Sequence, residues 1–154
     1  MTVVSYIILP TTKAHLSTLA EKLRAGDAAE IEAAGISPRR ALWRSWRNSV
    51  LASTMVVDGE IAAVGGVGGC PLGRVGELWL LTAPPIERAK IAFLAEARSA
   101  VRVMLTIFPE LRGRVSADYH KAVRLLEVLG FTVGEPFAFG PSRALFREYR
   151  MVRH

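Results

Sequence analysis

Tyr119 and His120 stand where a helix should open, and either side chain could give up a proton. The plainer reading of the pair is a helix start that caps or packs. Cys70 offers a thiol, but no His lies near it in the chain, so no activating base can be named and a passive loop thiol is expected. Gly65, Gly66, Gly68, Gly69, Gly73 and Gly76 fall within twelve positions and invite a phosphate-cradle reading. The Gly-x-x-x-x-Gly-Lys-Ser/Thr pattern is missing, and a strand rather than a helix follows, so that reading is rejected. His15, His120 and His154 have no metal-ligand spacing and no accompanying carboxylate cluster, and no metal site is expected. Arg39, Arg40, Arg44 and Arg47 interleave with Trp43 and Trp46, a set that could hold nucleic acid through phosphate contacts and stacking. The Trp pair lies on an apolar stripe, however, which places it in a core and leaves the Arg set as a solvated face or a protein contact. Arg143, Arg147, Arg150 and Arg153 form a second basic cluster whose spacing matches no groove-binding element.

The frame that must position these residues has 154 residues, 51% of them apolar, which suits one domain and one core. The apolar share excludes a disordered chain, and a single Cys excludes a disulfide scaffold and favours a reducing, cytoplasmic setting. The +6 net charge comes from 20 basic residues, 16 of them Arg, against 14 acidic ones. It is too modest to demand nucleic acid. The richest apolar stretch, Ile86–Phe108, is broken by six charged residues and cannot supply the roughly 18 uninterrupted apolar residues of a membrane span. The opening Met1-Thr2-Val3-Val4 shows no basic leader, so secretion is not expected.

Val3–Leu9 predicts a buried strand closed by Pro10. Leu16, Leu19, Ala20 and Leu23 then recur at helical spacing behind a Thr11 or Thr12 cap. Asp27 predicts a cap for a second short helix, Ala28–Ala34, and Ser37-Pro38 starts a third that runs to about Leu51. Ser53–Val57 and Ile61–Val67 are apolar and β-branched around Asp58-Gly59, a hairpin signal. Glu77–Leu81 reads as a further strand. Ile86 to about Phe108 is the longest helix, apolar on most faces and therefore expected to be central. Arg114–Ala117 is a strand, Asp118 a cap for the helix Tyr119–Leu129, and Gly130 that helix's stop. Phe131–Val133 and Leu145–Val152 are final strands around a Pro- and Gly-rich connection, Gly134–Arg143. The hairpin makes the sheet mixed.

The ending Ala122-x-x-Leu125-x-x-x-x-Gly130-Phe131 resembles the C-terminal signature of the GNAT family, acetyl-CoA-dependent N-acyltransferases, where Asn-x-x-Ala-x-x-Leu-Tyr-x-x-x-Gly-Phe is usual. The element order is similar over nearly the whole chain. The resemblance implies a GNAT-like α/β fold: a mixed, mostly antiparallel sheet splayed like a V, flanked by helices, with acetyl-CoA beside the fourth strand. The Arg- and Trp-rich early helix, Leu78-Trp79-Leu80-Leu81 and the Ile86-Glu87-Arg88 start are similar to phage-encoded GNAT-like proteins, which include a podovirus internal virion protein.

Carried onto this chain, the resemblance makes Glu77, on the fourth strand, the general base, and Tyr119 or His120 the proton donor. The cofactor-binding set would be Leu81, Thr82, Ala83, Arg88, Ala89 and Lys90. Two departures bear on that set. The family's acid Tyr falls at Leu126, which has no proton to give, and its Asn falls at Tyr119. The family's Gly-containing pyrophosphate loop falls on Thr82–Lys90, which contains no Gly, while Pro84 and Pro85 lack N–H groups. The expected role is therefore a GNAT-fold protein with reduced acyl-CoA machinery that binds a virion or host protein. The alternatives are a working N-acetyltransferase and a nucleic-acid-binding module using Arg39, Arg40, Arg44 and Arg47.

Overall fold

The computed structural model describes residues 4–70 and 72–154. An eight-stranded sheet runs through it, with helices on both faces. In chain order the elements are β1 (Tyr6–Pro10), α1 (Lys13–Ala20), α2 (Ala25–Ala33), α3 (Pro38–Arg47), β2 (Ser49–Val57), β3 (Glu60–Gly68) and β4 (Val75–Thr82). A 3₁₀ turn (Pro84–Arg88) leads into α4 (Lys90–Ile107), followed by β5 (Glu110–Ser116), α5 (His120–Leu129), β6 (Thr132–Val133), β7 (Phe137–Phe139) and β8 (Ala144–Val152). The strand order is β1-β2-β3-β4-β5-β8-β6, with β7 also on β8. Every pairing is antiparallel except β4 with β5.

The local signals mostly act as read. Asp58 and Gly59 both take positive φ, 49° and 80°, the backbone a two-residue hairpin needs to follow the strand twist. Ser37 caps α3 by accepting from the Arg40 N–H at 3.3 Å, ahead of Pro38. Gly130, at φ 101°, ends α5 in a left-handed turn.

The sheet opens into a V at its one parallel pair. β4 and β5 are in register only at Val75–Glu110, Gly76–Leu111 and Glu77–Arg112. Past Glu77 the β4 carbonyls face a gap, and the first of them, on Leu78, accepts a 3.3 Å hydrogen bond from the Tyr149 hydroxyl. Tyr149 reaches it from β8 by lying across Gly113 of β5, where a Cβ would stand 2.1 Å from that hydroxyl. The missing side chain at Gly113 thus lets Tyr149 satisfy a carbonyl that β5 no longer can.

Leu16, Leu19, Ile31, Leu42, Val64 and Leu81 pack α1–α3 onto one face of the sheet. On the other face Val101, Met104 and Phe108 meet Leu111, Leu126 and Tyr149, and a smaller patch joins Met55 and Ala63 to Ile86 and Ala89.

Several boundaries differ from the sequence reading. Val3, the expected start of the first strand, lies outside the described residues, and the strand runs Tyr6–Pro10, including the proline, at the sheet edge, where Tyr6, Ile7 and Ile8 are exposed rather than buried. α1 ends at Ala20, and α2 starts at Ala25 with Asp27 inside its first turn and buried, not capping it. The third helix stops at Arg47, because Ser49 already pairs with Gly68 and its hydroxyl accepts from the Trp79 indole N–H at 2.8 Å. The long helix begins at Lys90: Pro84 and Pro85 set a 3₁₀ turn, and Ala89, at φ −136° and ψ 36°, breaks it. That helix is peripheral rather than central, burying only Val101 and Met104 while Ile91 is 88% exposed. β5 starts four residues early at Glu110, the Pro- and Gly-rich segment contains β7, and Tyr119, not Asp118, stands at the α5 N-cap without a side-chain bond. Trp43 lies largely outside the core beneath the Lys13 ammonium, 5.2 Å from its ring, while Trp46 packs half-buried on the α1–α3 layer.

Candidate functional site

The V-shaped gap between β4 and β5 encloses a cavity of about 220 Å³, on the side where the two strands part. Leu81 and Thr82 of β4, Arg114 and Val115 of β5, and Tyr119 at the start of α5 form its walls. α2 closes it with Asp27, Glu30 and Ile31, one helical turn apart on one face, and Arg24 enters from the α1–α2 connection.

Arg24 ties the two arms of the V together. Its backbone N–H donates to the Thr82 carbonyl at 3.0 Å, and its Nε donates to Thr82 Oγ1 at 2.8 Å. Its second terminal nitrogen donates to the Tyr119 hydroxyl at 2.9 Å, and its first pairs with Glu87. Asp27 completes the bridge from below, accepting from the Thr82 hydroxyl and, at 3.1 Å, from the Tyr119 hydroxyl. A polar chain therefore runs from β4 to α5 across the open end of the gap.

Burial governs the titration of these groups. It raises the Asp27 carboxyl, against the hydrogen bonds from Thr82 and Tyr119 and the Arg24 charge. It pushes Tyr119 up to about 12, helped by the Asp27 charge and opposed by Arg24. A phenol held there parts with its proton less readily than a free tyrosine. Glu30 is pushed up to about 7, again chiefly by burial; the Ser116 N–H, which it accepts at 3.0 Å, works the other way, and the Asp27 charge adds to the rise. A carboxyl near 7 is half ionised at neutral pH, the condition of a general base.

Of the residues expected from the sequence, Tyr119, Leu81 and Thr82 do line the gap. Glu77 does not: it sits at the closed end, opposite Arg112 and Gly68, and is exposed. His120 points no polar contact into the gap and is exposed. Ala83 and Ala89 are buried under the 3₁₀ turn, away from the cavity. Arg88 is paired with Asp58 and Glu60 at 3.4 and 2.9 Å, and Lys90 with Glu87 at 3.0 Å. Arg39, Arg40, Arg44 and Arg47 are exposed, with Arg39 held at 3.3 Å by Glu21. Cys70 is exposed. No group of three or more metal-ligating side chains occurs among the described residues, and no helix among them is long and apolar enough to cross a membrane.

Sequence reasoning missed Arg24, Asp27 and Glu30. Asp27 and Glu30 fall on the face of the helix that carries Ile31, and that shared face was the available signal.

Acetyl-CoA brings a diphosphate that needs free backbone N–H groups and unpaired cations beside the fourth strand. Here Pro84 and Pro85 offer none, the Ile86 and Ala89 N–H groups are spent on the Ala83 and Ile86 carbonyls, and Arg88 and Lys90 are already paired. Glu87 adds a carboxylate, and Arg24 with Asp27 spans the opening. What remains for a diphosphate is the uncapped start of α4, where the Lys90, Ile91 and Ala92 N–H groups have no intrahelical partner.

No protein-family model and no curated protein matches the chain. Solved structures do. A GNAT-family acetyltransferase from Bacillus anthracis superposes with a TM-score of 0.70 at 10% identity, over 96% of this chain and 94% of that one. A spermidine N-acetyltransferase chimera from Vibrio cholerae and hSSAT gives 0.69 at 13% identity, over 96% and 95%. The RimL protein acetyltransferase in complex with coenzyme A gives 0.64 at 8% identity, over 96% and 94%. The chain has the GNAT fold, with its mixed sheet splayed between β4 and β5.

Proposed function

We propose that this GNAT-fold chain is of the phage-encoded type and serves as a binding or assembly protein, against a virion or host protein, with its acyl-CoA machinery reduced. The bridge from Thr82 to Tyr119 through Arg24 and Asp27 carries the reading, because it occupies the end of the gap by which the family's cofactor would lie. The Gly-free turn at Pro84–Arg88 and Leu126 in place of a proton donor support it. Calorimetry of acetyl-CoA against the full chain tests the loss of cofactor binding: no heat above background is expected at millimolar ligand, and sub-micromolar binding overturns it. Co-purification from infected cells tests the partner.

Glu30 favours a second reading, transfer of an acetyl group to an amine. A buried carboxyl held near 7 beside the β4–β5 gap is poised to take an ammonium proton, a role Glu77 is badly placed for. An acetylation screen over amines and cell lysate, repeated with Glu30→Gln and Glu77→Gln, decides it. Activity lost in the first variant and kept in the second supports this reading; no acetylation of any acceptor removes it.

A further inference from the structure

A larger space lies on the opposite face of the sheet, under α4, with a volume of about 400 Å³. Its floor is the β2–β4 surface and its roof the helix, and Gly65 on the floor contributes no side chain. Leu51, Met55, Leu80, Phe93 and Met104 make it a largely apolar chamber of the size that small-molecule sites have. Water gains little there, because almost nothing would hydrogen-bond it.

The opening is on the β1 side, where Ile8 and Val103 are half-exposed. One charged side chain stands among the lining residues: Glu96 of α4. Its carboxylate accepts from the Tyr6 hydroxyl at 3.0 Å, and no Lys, Arg or His pairs with it among the described residues. A carboxylate at the edge of an apolar pocket, bonded to Tyr6 and paired with no cation, favours a cationic end over an anionic one there.

We propose that this chamber binds a small aliphatic ammonium ion, its chain among Met55, Leu80 and Phe93 and its charged end at Glu96. Met55, Glu96 and Met104 line this chamber and not the β4–β5 gap, whereas Leu80, Phe93 and Tyr149 are among seven residues that line both spaces, so the acetyl-CoA arm of the test is needed to tell the two apart.

Octylamine, octanol and octanoate are titrated into the full chain against a bound naphthylamine fluorophore. Octylamine is expected to displace the fluorophore with an affinity about tenfold above octanol, with octanoate weakest. Glu96→Gln removes that preference and leaves octanol unchanged. Ala97→Trp, which fills the chamber, abolishes all three; Ala100→Leu serves the same end if the larger residue prevents folding. The proposal is overturned if octylamine does not saturate, if its preference survives Glu96→Gln, or if acetyl-CoA displaces the fluorophore equally well.

Discussion

The two faces of the sheet are packed on different principles. On the α1–α3 side, Leu19, Leu42, Val64 and Ala83 are all fully buried, and the buried polar groups are bonded, Asp27 and Thr82 to each other and to Arg24, and Thr54 to His15 of α1. On the α4 side, an 18-residue helix buries only Val101 and Met104, packs Ala92, Phe93 and Ala100 partly against the core, and leaves a chamber of about 400 Å³ beneath it. Three short helices cover a twisted face in pieces and leave the smaller space, about 220 Å³ in the β4–β5 gap, while a single long helix on the other face leaves the larger one.

The contrast can be broken most forcefully on the filled side. Leu42→Ala should cost about 2–5 kcal/mol in urea denaturation, because the surrounding layer cannot collapse into the hole. Leu80→Ala, on the chamber side, should cost about 1 kcal/mol, since that side chain is already 38% exposed. Equal losses would mean that both layers are equally tight.

Glu30 supplies a pH test of the filled side. Its carboxyl rises from 4.5 to about 7 on folding, so the folded chain holds the proton more tightly than the unfolded one. Stability should therefore be greatest below pH ~4.5 as far as this group is concerned, and fall as pH climbs to 7. Glu30→Gln should remove that decline and gain up to about 3 kcal/mol at pH 8. A wild-type profile parallel to the variant's would show Glu30 to be solvated.

Added volume should act with opposite sign on the two faces. Ala83→Leu should destabilise by about 1–3 kcal/mol through overpacking, while Ala100→Leu should stabilise by about 0.5–2 kcal/mol by filling the chamber. Melting temperatures moving the same way in both would erase the distinction. The smallest effect belongs to neither layer: Arg39→Ala breaks an exposed pair with Glu21 and should stay within about 0.5 kcal/mol.

The fold was legible because its signals are local. Asp58-Gly59, Ser37-Pro38 and Gly130 each determine a turn or a helix end from two neighbouring residues, and Gly130-Phe131 tied the order to a family. The start of α4 was misread because Ile86-Glu87-Arg88 has helical composition, while the conformation there is imposed by the two prolines before it. The site was harder still. Arg24, Asp27, Thr82 and Tyr119 are 55 to 95 positions apart where they bond across the gap. No periodicity links them; Asp27 reads as a helix cap, and Glu30 carries no signal of its own until the V closes over it.

β8 is the last strand in the chain but not the last in the sheet: it lies between β5 and β6 and also carries β7. A nascent chain can lay down β1–β4 and their helices while still tethered to the ribosome. It cannot finish β5, whose antiparallel neighbour has yet to be translated, and Leu78 waits for the Tyr149 hydroxyl until the same moment. During synthesis the protein thus passes through a stage with one raw strand edge at its centre, the edge most open to pairing with another chain. Pausing late in translation should expose this molecule to aggregation more than pausing early.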